Sequence, residues 1–331
     1  MISLSRRTLT ASVAALLTGC ATKEAATTTT TAATTTAPPK PPAAIGAWGV
    51  DLNARDLTVK PGDDFFHYAN GTWLKNNPIP ADRTRWGSFA ILAKNAEEQV
   101  KAILEEVAAA PAGAPGSGPQ KLKDYYTSYL NVDAINAAGV APMQADLATI
   151  NAARNHVDII RLMMRVDMPV AGPIGLGVDL DAKNPNRYIT TMGHGGLSLP
   201  DRDYYLLTDQ NYVDTRNAFK AHVAQMLTLG GQSGAAAKAN AILALETQIA
   251  QRHWPRADRR DLDKTYNLKT RADIRALNTH FPWDEAFQAA EMGDVQEVVV
   301  AELSAMGPLS QLFLSTPVST WKSYLAYHYI I

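Results

Sequence analysis

Residues 60–89 read KPGDDFFHYANGTWLKNNPIPADRTRWGSF. The stretch packs Phe65, Phe66, Tyr68, Trp73, Trp86 and Phe89 between short charged clusters and ends on Arg85-Trp86-Gly87-Ser88-Phe89. Asp63 and His67 stand four residues apart inside it and would share one face of a helix. Two such groups do not make a metal site. A hydrogen-bonded pair is the plainer reading.

Toward the N-terminus the chain changes character. Arg6 and Arg7 form a basic patch, and Leu9 to Leu17 is a mostly apolar run too short to cross a bilayer. The run ends in Leu17-Thr18-Gly19-Cys20, the pattern of a bacterial lipoprotein leader, with Cys20 as the thiol for lipid attachment. Cys20 is the only cysteine in the chain, and an exported protein with one unpaired cysteine needs a use for it. The alternatives are a plain secretory leader, or a twin-arginine signal weakly matched by Ser5-Arg6-Arg7. Residues 1–19 would be the leader, and their loss would take the net charge from −1 to −3. Ala21 after the cysteine favours an outer membrane where the cell has one. Residues 20–45 form a Thr/Ala/Pro tract with almost nothing to bury, expected to act as a disordered tether. The expected location is the cell envelope, exported and lipid-anchored.

Toward the C-terminus, residues 46–331 read as one mainly helical region. The chain is 331 residues long and 46% apolar, enough for a sizeable core. Asn95 followed by Glu98 resembles a capping box opening a helix through Val107. The run 110–119, APAGAPGSGP, then breaks it. Leu122, Tyr125, Tyr126 and Tyr129 mark another helix. Asn155 with Asp158 predicts a further start, and Thr270 with Asp273 one more. The stripe Phe219, Val223, Met226, Leu227 should stop at Gly230-Gly231, and Ala235 to Ala250 is strongly helical. Ile174–Leu180 and Arg187–Met192, flanking a turn-rich break, predict a small β-hairpin. Thr320 to Ile331 reads as the front half of an amphipathic helix with no cap. Its bare apolar end implies either a chain that stops short or a helix that docks on a partner.

The common catalytic signatures are mostly absent from the sequence. The histidines are His67, His156, His194, His222, His253, His280 and His328; none begins H-E-x-x-H and no two are close in sequence. There is no G-x-S-x-G nucleophile elbow. Gly175-Leu176-Gly177 lacks the third glycine of a dinucleotide loop. The mixed cluster Arg256, Asp258, Arg259, Arg260, Asp261, Asp263 and Lys264 reads as a solvated ion-pair surface. A net charge of −1 gives no reason to expect nucleic acid.

Several blocks in order carry a family resemblance. Gly62-Asp63-Asp64-Phe65-Phe66, Tyr68-Ala69-Asn70-Gly71-Thr72-Trp73-Leu74, Pro78-Ile79-Pro80 and Arg85-Trp86-Gly87-Ser88-Phe89 come first. Gly196-Leu197-Ser198-Leu199-Pro200-Asp201-Arg202-Asp203-Tyr204-Tyr205 follows. Then come His253-Trp254, Arg259-Arg260-Asp261, Lys264-Thr265-Tyr266-Asn267 and Thr320-Trp321-Lys322-Ser323-Tyr324-Leu325. Together they resemble the N-terminal region of the neprilysin and endothelin-converting-enzyme family of zinc metallopeptidases, bacterial branch. The resemblance implies a large helical lobe, one of two enclosing a cavity that admits short peptides. It implies that zinc, its H-E-x-x-H pair and downstream Glu, and the substrate-holding strand belong to a catalytic lobe missing from this chain. It makes Arg85 the residue that meets the far end of a bound peptide. A second arginine of some relatives is Ala93 here. Gly62 and Asn70 stand where vertebrate members carry cysteines.

The expectation is therefore the substrate-enclosing part of a lipid-anchored zinc endopeptidase, with no catalytic residues and no metal or cofactor of its own. Its partners would be short peptides, the catalytic lobe and a membrane. The alternative is a stand-alone peptide-binding or scaffold lipoprotein.

Overall fold

The computed structural model describes residues 51–170 and 172–331. Cys20 and the tether lie outside the described residues. The chain divides into two compact units between Ala102 and Ile103.

In the first unit, α1 (Phe65–Asn76) starts at Asp64, whose carboxylate accepts from the His67 amide at 3.0 Å. His67 therefore pairs with Asp64, Nδ1 to Oδ2 at 2.6 Å, and not with the expected Asp63. The N-cap geometry decides this, because a capping side chain must point back over the first turn. Asp56 straps the preceding segment to α1. It accepts from Lys75 Nζ at 2.6 Å and from the Thr58 amide and hydroxyl, and these bonds, that from Lys75 foremost, hold its pKa down at about 2. The strap lies so close to the helix that a Cβ on Gly71 would sit 2.7 Å from Asp56 Cβ. α2 (Ser88–Ala109) begins two turns before the expected Asn95. Residues 88–94, SFAILAK, are good helix formers, so Asn95 becomes an interior residue. Glu98 pairs with Lys94 and not with a helix start.

The second unit holds the core. α3 (Gly118–Leu130) is capped by Ser117 and followed by α4 (Val132–Ala138) and α5 (Gln144–Ala152). α6 (His156–Met164) starts at Asn155 as the sequence predicts, Asp158 N donating to Asn155 Oδ1 at 2.9 Å. Ile159, Ile160, Leu162 and Met163 of this helix are buried.

The expected hairpin is present as β1 (Ile174–Asp181) and β2 (Asn184–His194), turning through Ala182-Lys183. Asp181 fixes the turn by accepting from Lys183 N, Arg187 Nε and Tyr266 Oη. The hairpin is half of a four-stranded sheet ordered β1-β2-β4-β3. In it β4 (Glu297–Val300) runs parallel to β2, and β3 (Asn267–Thr270) runs antiparallel to β4.

The remaining helices are α7 (Asp203–Leu206), α8 (Gln210–Leu229), α9 (Ala235–Arg252), α10 (Leu262–Thr265), α11 (Arg271–Leu277), α12 (Trp283–Ala289), α13 (Leu303–Ser315) and α14 (Val318–Ile330). α8 stops at Gly230, with Gly231 at φ 72°, and α11 carries the predicted Thr270/Asp273 capping box. α14 is not amphipathic. Trp321, Tyr324, Leu325, Ala326 and Tyr327 are all buried. The polar tips make this possible: Tyr324 Oη donates to Gly196 O at 2.9 Å, Trp321 Nε1 to Phe313 O at 3.0 Å and Tyr329 Oη to Asp146 at 2.5 Å. Among the described residues no helix is long and apolar enough to cross a membrane.

Candidate functional site

Arg85, the peptide-contacting residue implied by the resemblance, sits in the loop before α2. It is exposed, and among the described residues it has no hydrogen bond or ion pair. Its neighbours in sequence form an open groove lined by Asp82, Arg83, Arg85, Trp86, Phe89 and Ala93. Arg83 is held by Glu97 at 2.8 Å, and Phe89 is 90% exposed. The groove thus pairs an unengaged guanidinium with bare aromatic surface. That combination suits a ligand carrying both a carboxylate and an apolar side chain.

The block Gly196–Tyr205 is built differently: it folds around one buried acid, Glu246 of α9. Ser198 donates to it through its amide at 3.0 Å and its hydroxyl at 2.7 Å, and Tyr205 Oη donates as well. The Leu199 amide in turn donates to Tyr205 Oη at 2.9 Å. Burial, and then the nearby Glu246, push the Tyr205 hydroxyl far above its ordinary range, so it stays a donor. Gly196 has φ 83°, and a Cβ there would meet Tyr324 Oη at 2.8 Å and Gly172 backbone at 2.9 Å. No side chain other than hydrogen fits. His328 of α14 completes the cluster, its Nε2 3.4 Å from Glu246 Oε1.

Beside this block a pocket of about 190 Å³ opens over His194 and His253. The two are far apart in sequence, yet their rings stack with centroids 3.7 Å apart and an angle of 22°. Their tautomers follow from their partners. His253 Nε2 lies 3.0 Å from the Gly195 carbonyl, which only accepts, so Nε2 carries the proton. His194 Nε2 lies 3.3 Å from the Trp254 amide, which only donates, so its proton is on Nδ1. Glu302, 4% exposed, accepts from the His194 amide at 3.1 Å and from Arg259 Nε at 3.1 Å. Burial holds His194 down at about 4, helped by the positive charge of Arg259. Burial and the neighbouring His194 hold His253 at about 3. Both rings are therefore uncharged at neutral pH.

This corrects the reading of the Arg256–Lys264 cluster as solvated throughout. Lys264 does pair with Asp258 at the surface, but Arg259 reaches a buried acid. Nothing in the sequence pairs His194 with His253; only the sheet and α9 bring them together. The donor set does not suit zinc. Among the described residues no group of three or more His, Cys, Asp or Glu is placed to hold a metal. No catalytic step through zinc follows from these residues.

Comparison with known proteins places this geometry. Residues 61–331 match the N-terminal model of peptidase family M13. Endothelin-converting enzyme-like 1 of Rattus norvegicus is 30% identical over 295 residues, covering 83% of this chain and 37% of that protein. The human counterpart is 30% identical over 296 residues, covering 83% and 38%. A crystal structure of the zinc metalloprotease Zmp1 of Mycobacterium tuberculosis, in complex with inhibitor, superposes with a TM-score of 0.76 at 34% identity, over 84% of this chain and 43% of that one. PepO of Lactobacillus rhamnosis, at 17% identity and a TM-score of 0.66, shares the fold. The chain spans about two fifths of the length of these relatives. A family match across residues 61–331, with Arg85 and both walls of the histidine pocket inside it, leads to one conclusion: the chain belongs to peptidase family M13.

Proposed function

We propose that this chain forms the substrate-enclosing region of a zinc metalloendopeptidase that acts on short peptides, and that Arg85 receives the peptide's terminal carboxylate. The observation that carries the reading is the match of residues 61–331 to the N-terminal region of the family, supported by the likeness to a zinc metalloprotease structure at a TM-score of 0.76. The local chemistry agrees. Arg85 is exposed and unpaired beside Trp86 and Phe89. A guanidinium offers a planar fork to a carboxylate, while the rings offer apolar area to a side chain.

The zinc and the hydrolytic groups belong, in this reading, to the part of the family's length that this chain does not span. The described residues supply enclosure and positioning. The N-terminal sequence supports export and attachment to a membrane through Cys20, with residues 21–45 as the tether. The test is kinetic. In a polypeptide that includes the family's catalytic length, Arg85→Ala should raise KM for free-acid peptides and leave their amidated versions nearly unchanged. Equal loss on both would make Arg85 a structural residue.

A further inference from the structure

The pocket over His194 and His253 is not part of the peptide reading, and its walls have a chemistry of their own. At about 190 Å³ it is several times the ~30 Å³ share of a water molecule. Three guanidiniums line it: Arg202, Arg256 and Arg259. Arg202 commits Nε to Ala250 O at 3.3 Å, and Arg259 commits Nε to Glu302. Among the described residues the terminal nitrogens of both have no partner, and Arg256 has no hydrogen bond or ion pair at all. Asp201 and Asp203 share the wall, yet neither pairs with an arginine among the described residues. Asp201 Oδ1 is taken by the Asp203 amide at 2.8 Å. The charge of Glu302 is met by Arg259 and by the His194 amide. What remains is a concave surface on which Arg256 is unpartnered and several N–H donors are free; its three guanidiniums stand against three carboxylates, Asp201, Asp203 and the Arg259-paired Glu302.

We propose that this pocket binds a small oxyanion, a phosphate or carboxylate group, with Arg256 as its principal contact and Arg202 and Arg259 closing on either side. Guanidinium forks match the oxygen spacing of both groups and donate two parallel bonds. A metal is a poor occupant, because among the described residues no group of three or more His, Cys, Asp or Glu is placed to hold one. The charged groups of the wall are Arg202, Arg256, Arg259, Asp201 and Asp203, with Glu302 paired to Arg259.

The test is calorimetric titration of the whole chain with inorganic phosphate and, separately, acetate at pH 7, with ionic strength held constant by sodium chloride. Saturable binding by at least one is expected, and the one that saturates identifies the ligand chemistry. Arg256→Ala should weaken binding at least tenfold. Arg256 is exposed and unpartnered, so the variant should melt like the parent. Arg165→Ala, which removes a surface arginine bound to Asp167, should bind as the parent does. Heat no greater than that of sodium chloride alone would overturn the proposal. So would an Arg256→Ala variant that binds as tightly as the parent.

Discussion

Acidification from pH 7 to pH 5 should destabilise this protein through two rings, His194 and His253. In the unfolded chain both titrate near 6.5; in the fold they are held at about 4 and about 3. The sign follows from linkage. Their stabilisation is complete above pH 6.5, where neither state binds the protons, and it is lost as pH falls toward the folded values. Between about pH 5 and 6 the unfolded state binds nearly two more protons than the folded one, so stability should fall by roughly 2–3 kcal/mol per pH unit. The stacked rings titrate as a pair, so the slope belongs to both together. A domain is typically stable by only about 5–15 kcal/mol, which makes the loss easy to read. Asp56 and Asp181, both held at about 2, add a separate loss at lower pH, as the medium falls below the ordinary carboxylate range. The assay is urea unfolding followed by tryptophan fluorescence at several pH values. His253→Gln keeps a polar planar group over His194 and removes one titration, so the slope between about pH 5 and 6 should fall to roughly half. A slope identical to the parent's would refute the assignment of acid sensitivity to this pair.

Other consequences are open to direct measurement. Gly196→Ala forces a Cβ to within 2.8 Å of Tyr324 Oη at φ 83°, and strain plus overpacking should cost roughly 2–4 kcal/mol in the same urea assay. A change under about 0.5 kcal/mol would mean that the 196–205 block shifts freely. Glu246→Gln sets an amide nitrogen against donors from Ser198 and Tyr205 and should cost about 1–3 kcal/mol; unchanged denaturation midpoints would count against a stabilising role for the Glu246 cluster. Purified chain should carry well under one zinc by metal analysis, and stoichiometric zinc would overturn that expectation. Cys20→Ser should move the protein out of the membrane fraction, because stable attachment needs acyl chains that only the thiol can take; a variant that stays membrane-bound would end the lipoprotein reading.

Where local chemistry settled an element, the sequence sufficed. Asn155 with Asp158, Thr270 with Asp273, and Gly230-Gly231 marked helix ends that the structure keeps. Those motifs act within one turn of backbone, so no distant partner is needed to read them. The misreadings share the opposite cause. Asn95 and Glu98 have the spacing of a capping box, but capping requires the first residue to be non-helical, and the helix formers upstream remove that condition. β3 and β4 are four residues each, too short to declare a period, and β4 acquires its strand through parallel pairing with β2, more than a hundred residues away. α14 looked amphipathic because Tyr324, Tyr327 and Tyr329 carry hydroxyls. The acceptors of Tyr324 and Tyr329, on Gly196 and Asp146, lie in other elements, so the packing of these rings was not readable from the helix alone.

The two candidate sites differ in the same way. Arg85 could be singled out because its block, Arg85 to Phe89, is contiguous, and the role proposed for it asks only for an exposed arginine beside aromatic rings. The histidine pocket was not, because its parts come from β2, the end of α9, the cluster after it and the loop before α13. His253-Trp254 and Arg259 were visible as separate blocks, but their joint chemistry rests on Glu302, which no motif marks. That acid engages an arginine whose side chain stays 45% exposed, and fixes His194 by its backbone. A charged residue with one buried neighbour is no longer free to be read by its own solvation. Arg256, three residues away and without such a neighbour, keeps its charge available. The contrast between Arg256 and Arg259 is therefore the part of this surface where structure, and not composition, decides which cation can meet a ligand.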